Sequence, residues 1–110
     1  MPPMIQLTTT MTTDTIIKSQ ARTDIKQPPR YRVIYINDNV TTVDFVVESM
    51  VIIFHVDRLR AEELTKQIHD EGSAVVSVLP YEIAEQKGIE VSVLAKKHGF
   101  PLVIKLEPDE

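Results

Sequence analysis

"VDFVVESMVIIF", residues 43–54, is the stretch on which the fold of this chain turns. Val and Ile dominate it, and β-branched side chains favour strands. Three features point to a helix instead. Twelve residues is long for a strand. Thr41 stands before it in a capping-box pattern, Thr41-x-x-Asp44, with Asp in place of Glu. Val43, Val46, Val47 and Met50 recur at helical spacing. The stretch is read as a helix.

Its surroundings agree. "YRVIYI" (31–36) is β-branched and aromatic and predicts a strand. "DRLRAEELTKQIHDE" (57–71) is an amphipathic helix with Asp57 as N-cap, Leu64 and Ile68 on one face, and Gly72 as its stop. "AVVSVL" (74–79) predicts a strand closed by Pro80. "YEIAEQKGIEVSVLAKKH" (81–98) places Ile83, Ala84, Val91, Leu94 and Ala95 on one helical face and ends at Gly99. "LVIKL" (102–106) predicts a last strand, stopped by Pro108. The order βααβαβ implies an α+β sandwich, a three-stranded antiparallel sheet packed against three helices. This core spans residues 30–110. Residues 1–29 hold only scattered apolar positions, carry the Thr-rich tract "TTTMTT" and end in Gln27-Pro28-Pro29, which predicts a flexible N-terminal arm.

Composition narrows the function. Of 110 residues, 43% are apolar and 25% charged, an ordinary globular balance. A net charge of −4 argues against nucleic acid, which needs a basic face. With no cysteine, disulfides, thiol chemistry and Cys-ligated zinc are excluded. No apolar run approaches the roughly 20 residues of a membrane span, and the N-terminus does not read as a signal peptide. A monomeric, cytoplasmic protein that binds neither membrane nor nucleic acid is expected. His55, His69 and His98 lack metal-ligand spacing, and there is neither a nucleophile motif nor a glycine-rich phosphate loop. The expectation is a non-enzyme without metal or cofactor, and a core of about 80 residues suits shallow surface recognition better than buried chemistry.

The polar triplet Asn37-Asp38-Asn39, between the first strand and the helix, is the most suggestive chemistry. It reads either as an Asx turn leading to a helix N-cap or as a set of acceptors facing a cation. His69 shares a helix edge with Thr65 and Ile68; it reads as a half-buried packing residue or as a neutral ring-nitrogen acceptor.

"YRVIYINDNVTTVDFVV", "AEELTKQIHDEGSAVV", "YEIAEQK" and "HGFPLVIKLEP" together resemble ClpS, the adaptor that hands proteins to the bacterial Clp protease. The resemblance covers residues 30–110, and its most specific elements are Asn37-Asp38 followed by Thr41, and His69-x-x-Gly72. It implies the same βααβαβ fold with a flexible arm, and recognition of N-degrons, proteins whose first residue is bulky and hydrophobic. By that resemblance Asn37, Asp38 and His69 hold the α-amino group, partly through water. Asn39, Thr41, Val43, Val46, Thr65, Ile68 and Leu102 form the pocket for the first side chain. Glu82 and Lys87 would dock on the N-terminal domain of a Clp-type AAA+ unfoldase of the ClpA or ClpC class, with residues 1–29 entering it during hand-over. The chain departs from the family pattern at Asn39 (usually Asp), Thr42 (usually Pro), and Val43 and Thr65 (both usually Met). The last two shorten the pocket walls and imply a wider or differently shaped pocket. A module of the same fold that docks on the ATPase with altered or lost N-degron specificity is the alternative reading.

Overall fold

The computed structural model describes residues 28–110; the predicted arm lies outside the described residues except for Pro28 and Pro29. The six elements are β1 (Arg30–Ile36), α1 (Val43–Phe54), α2 (Arg58–Glu71), β2 (Ser73–Pro80), α3 (Tyr81–Lys97) and β3 (Val103–Pro108). The sheet has order β2-β1-β3 and both pairings are antiparallel. One face of β1 carries Val33 and Tyr35, fully buried, with Ile104 and Leu106 of β3 beside them. All three helices cover that face. The other face carries Arg32, Ile34, Lys105 and Glu107, where Glu107 pairs with both Arg32 and Lys105.

Val43–Phe54 is helical, as its spacing predicts, and it buries Val46, Val47, Met50, Ile53 and Phe54. Its cap differs from the sequence expectation by one residue. Thr42, not Thr41, is the N-cap, and its hydroxyl accepts from the Phe45 amide at 3.2 Å. Thr41 is engaged elsewhere, as described below. Ser49 sits on the buried side because its hydroxyl is satisfied twice, by the Val46 carbonyl (2.9 Å) and the Tyr35 hydroxyl (2.7 Å). Burial pushes the Tyr35 phenol well above its ordinary range, an effect the Ser49 hydrogen bond only partly opposes.

Sheet register carries one irregularity. Val33 pairs with Ser77 and Ile34 with Val75, so Val76 has no partner on β1. The extra residue shifts the alternation of β2 by one, so that Ala74 stands opposite buried Tyr35 and Ser77 opposite buried Val33. α3 begins directly after Pro80 and is locked to β1 by an edge-on contact between Tyr31 and Tyr81, ring centroids 4.9 Å apart.

α1 stops at His55, which adopts φ 58° while the Val56 amide reaches back to the Met50 carbonyl at 3.1 Å. This left-handed closure favours glycine, and His55 carries the steric cost of its Cβ. His55→Gly should raise unfolding stability by up to about 1 kcal/mol in urea denaturation, once glycine's own entropy is subtracted. A loss of stability would mean that the imidazole makes contacts that outweigh the strain.

Candidate functional site: a cleft between the β1–α1 turn and helix α2

The turn after β1 is built around one carboxylate. Asp38 Oδ1 accepts the backbone N–H of Val40 and of Thr41, both at 2.7 Å, and Oδ2 accepts the Thr41 hydroxyl at 2.7 Å. This is an Asx turn reinforced by a side chain, so one of the two sequence readings of the triplet holds for Asp38. Three of the carboxylate's roughly four acceptor positions are occupied. Partial burial acts to raise its pKa, but the hydrogen bonds from Thr41 and Val40 outweigh it and hold the carboxyl below its ordinary value.

Asn37 is different. Its backbone N–H donates to the Gly72 carbonyl at 2.9 Å, tying the end of β1 to the end of α2. Its side chain is exposed, and among the described residues no group hydrogen-bonds its amide. The triplet therefore divides into a structural Asp38 and an unengaged Asn37, with Asn39 exposed at the rim.

Across from the turn, α2 presents Thr65, Ile68 and His69. Thr65 is buried and donates its hydroxyl proton to the Ala61 carbonyl at 2.7 Å, so it offers the cleft no free donor. His69 is not the half-buried packing residue that is one sequence expectation: its side chain is 79% exposed. Its Nδ1 lies 3.3 Å from Asp70 Oδ1. A carboxylate only accepts, so this contact favours the neutral tautomer with its proton on Nδ1, in which Nε2 is the acceptor. Asp70 is itself fixed by Lys66 at 2.7 Å, and first this bond and then His69 hold its carboxyl below its ordinary value. Sequence reading missed Asp70, although it adjoins His69.

Between these walls lies a cleft of about 280 Å³. Asn37, Asp38, Asn39 and His69 line its polar side, and Thr41, Val43, Val46, Thr65 and Ile68 its remaining wall. Among the described residues no Lys or Arg lines it. Leu102 is buried and lies lower, where with Tyr35 and half-buried Ile36 it lines a recess of about 20 Å³ that shares Asn37, Asp38, Thr41, Val46 and Ile68 with the cleft. Folding thus brings together residues that the chain separates by more than sixty positions, from Asn37 to Leu102. Val43 is 61% exposed and does not close the cleft. Beyond it a second recess of about 300 Å³ shares Val43, Thr65 and His69 and continues to Val47 and Glu62.

Glu82 and Lys87 lie away from the cleft, on α3. Glu82 is exposed in the first turn, and Lys87 Nζ donates to the Ile53 carbonyl at 2.8 Å. The last turn of α1 contains no basic residue, and Lys87 supplies one from outside.

A family model described as ATP-dependent Clp protease adaptor protein ClpS matches residues 26–105 of this chain. The chain belongs to the ClpS family. It is 38% identical over 99 residues to the ATP-dependent Clp protease adapter protein ClpS of Acetivibrio thermocellus, covering 90% of this chain and 100% of that one. It is also 38% identical over 97 residues to the ClpS of Nautilia profundicola, covering 88% and 98% respectively. Among solved structures, Agrobacterium tumefaciens ClpS2 bound to L-phenylalaninamide is similar with a TM-score of 0.72 and 35% identity, covering 76% of this chain and 100% of that one. No group of metal-ligating side chains occurs among the described residues, and no described helix is long and apolar enough to cross a membrane.

A lowered folded pKa at Asp38 carries a definite sign. The charged form stabilises the fold above the ordinary carboxylate range near pH 4, and that contribution is lost as pH falls through the lower folded value. Asp38→Asn keeps a carbonyl acceptor but no charge. It should lower Tm at neutral pH, with the gap to the parent closing below about pH 4. A gap of constant size through acid unfolding would contradict this role for the charge.

Proposed function

We propose that this ClpS-family chain is a non-enzymatic adaptor that binds proteins bearing a bulky hydrophobic first residue and delivers them to a Clp ATPase–protease. The observation that carries the proposal is the cleft, where acceptors and an apolar floor converge and, among the described residues, no Lys or Arg intrudes. A free N-terminal ammonium has only donors, so it requires such a set of acceptors. In this reading Asn37 Oδ1 and His69 Nε2 take two of its protons. Asp38 contributes through its one remaining acceptor position and a bridging water, and its charge offsets that of the ammonium. The first side chain descends towards Val46, Ile68 and Leu102. L-phenylalaninamide, bound by the Agrobacterium relative, has this chemistry: a free α-amino group, an aromatic side chain and a blocked carboxylate.

Charge-assisted hydrogen bonds contribute about 1.5–3 kcal/mol each and burial of a Leu or Phe side chain about as much. After association entropy, binding near −8 kcal/mol, in the micromolar range, suits an adaptor that must release its cargo. Val43 and Thr65 leave the first-residue pocket open towards the second recess, so its preference among first residues is broader than a pocket walled by methionines would allow. Residues 30–110 serve as the adaptor core and residues 1–29 as the arm used in hand-over. Exposed Glu82, with Lys87, meets the N-terminal domain of a ClpA- or ClpC-class unfoldase. The protein works as a cytoplasmic monomer.

Asn37→Ala separates recognition from folding, because the Asn37 side chain supports nothing else among the described residues. Calorimetric titration with a peptide beginning in Phe should show about tenfold or greater weakening, the equivalent of one charge-assisted hydrogen bond, with Tm unchanged. The parent should bind the free peptide and not its N-acetylated form. Equal binding of both forms would contradict amine recognition.

A further inference from the structure

A larger cavity than the cleft, about 380 Å³, lies on the other side of the α1 N-terminus, in the groove between α1 and α3. Alternate residues at the entry to α1 serve the two sites: Thr41 and Val43 line the cleft, Thr42 and Asp44 the groove. Phe45, Ile52, Leu94 and Phe100 give the groove an apolar floor, and Ile52 remains 63% exposed. Phe45, His98 and Phe100 form a ring cluster with centroids 5.2 to 5.9 Å apart. The rim is acidic. Among the described residues Asp44 has no ionic partner, and Glu48 shares only Oε2 with Arg58, at 2.6 Å. An open aromatic floor beside a free carboxylate suits a segment in which apolar and basic side chains recur as neighbouring pairs.

The chain contains such a segment, outside the described residues. In "IIKSQARTDIK" (16–26), Ile17, Ala21 and Ile25 recur every four residues, and so do Lys18, Arg22 and Lys26 beside them. Its length and exit point fit. The described chain begins at Pro28, and Arg30 pairs with Pro80 immediately before α3. From the start of α3 to Leu94 the helix rises roughly 20 Å at 1.5 Å per residue. The eleven residue steps from Ile17 to Pro28 reach about 36 Å when extended, enough to run beside α3 to the groove.

We infer that residues 16–26 dock in the α1–α3 groove of their own chain, with isoleucines on the Phe45–Ile52–Leu94 floor and basic side chains at Asp44 and Glu48. Docking holds the arm against the core at a surface separate from the cleft, so it leaves the amine-binding side chains free. The inference does not depend on what the cleft binds.

The chain has no cysteine, which makes pairwise crosslinking unambiguous. In full-length protein, the pair Ile17→Cys and Ile52→Cys should form an intramolecular disulfide under mild oxidation. A control pair, Ile17→Cys with Val75→Cys on the outer sheet face, should close at least about tenfold more slowly, because docking raises the local concentration only at the groove. Lys18→Glu, Arg22→Glu and Lys26→Glu together should reduce the groove pair to the control rate, and high salt should act in the same direction. Equal rates for the two pairs, insensitivity to the charge reversal, or disulfides only between molecules, the sign of a second copy in the groove, would each overturn it.

Discussion

The Asp38 carboxylate is the point from which the functional end of this molecule is built. Its bonds to the Val40 and Thr41 amides and to the Thr41 hydroxyl fix how β1 passes into α1. Because Thr41 is held by Asp38, the helix begins one residue later, with Thr42 as its cap. That register decides which side chains of the first helical turns face the cleft and which face the groove. A turn held by three short bonds also arrives at a ligand already ordered, so little conformational entropy remains to be lost on binding.

Asn37 and Asp38 are adjacent in sequence and separate in physical role. Asp38 directs its oxygens into the turn, and Asn37, anchored through its backbone to Gly72, keeps its amide outward. On α2 Asp70 lies beside His69, and its carboxylate favours the neutral tautomer in which Nε2 is the acceptor. Neutral acceptors standing beside anions suit a cationic group. A buried carboxylate in direct contact would bind more tightly and let go more slowly.

Much of this was legible in the sequence. The spacing of Val46, Val47 and Met50 reveals α1 despite its β-branched composition, since helix burial follows period rather than propensity. The resemblance groups Asn37, His69, Thr65 and Ile68, and the fold brings those residues to one cleft. Local details were harder. Two adjacent threonines both fit a cap, and only the competing bond to Asp38 separates them. Nothing in "SAVVSVLP" marks the unpaired Val76, because no glycine accompanies it. His55 closes α1 in a conformation that a reader expects of glycine or asparagine. The α1–α3 groove was not legible at all, since Phe45, Ile52, Leu94 and Phe100 meet only through packing.

Central to the account is the claim that the cleft beside Asn37, and not the larger apolar groove, receives an amino-terminal residue. The most direct measurement is amide chemical-shift mapping of the full-length protein during titration with L-phenylalaninamide. The account predicts saturable shifts concentrated at Asn37, Asp38, Thr41, Thr65 and His69, with Phe45, Leu94 and Phe100 unmoved. Shifts centred on Phe45, Leu94 and His98, or none at Asn37 and His69, would contradict it.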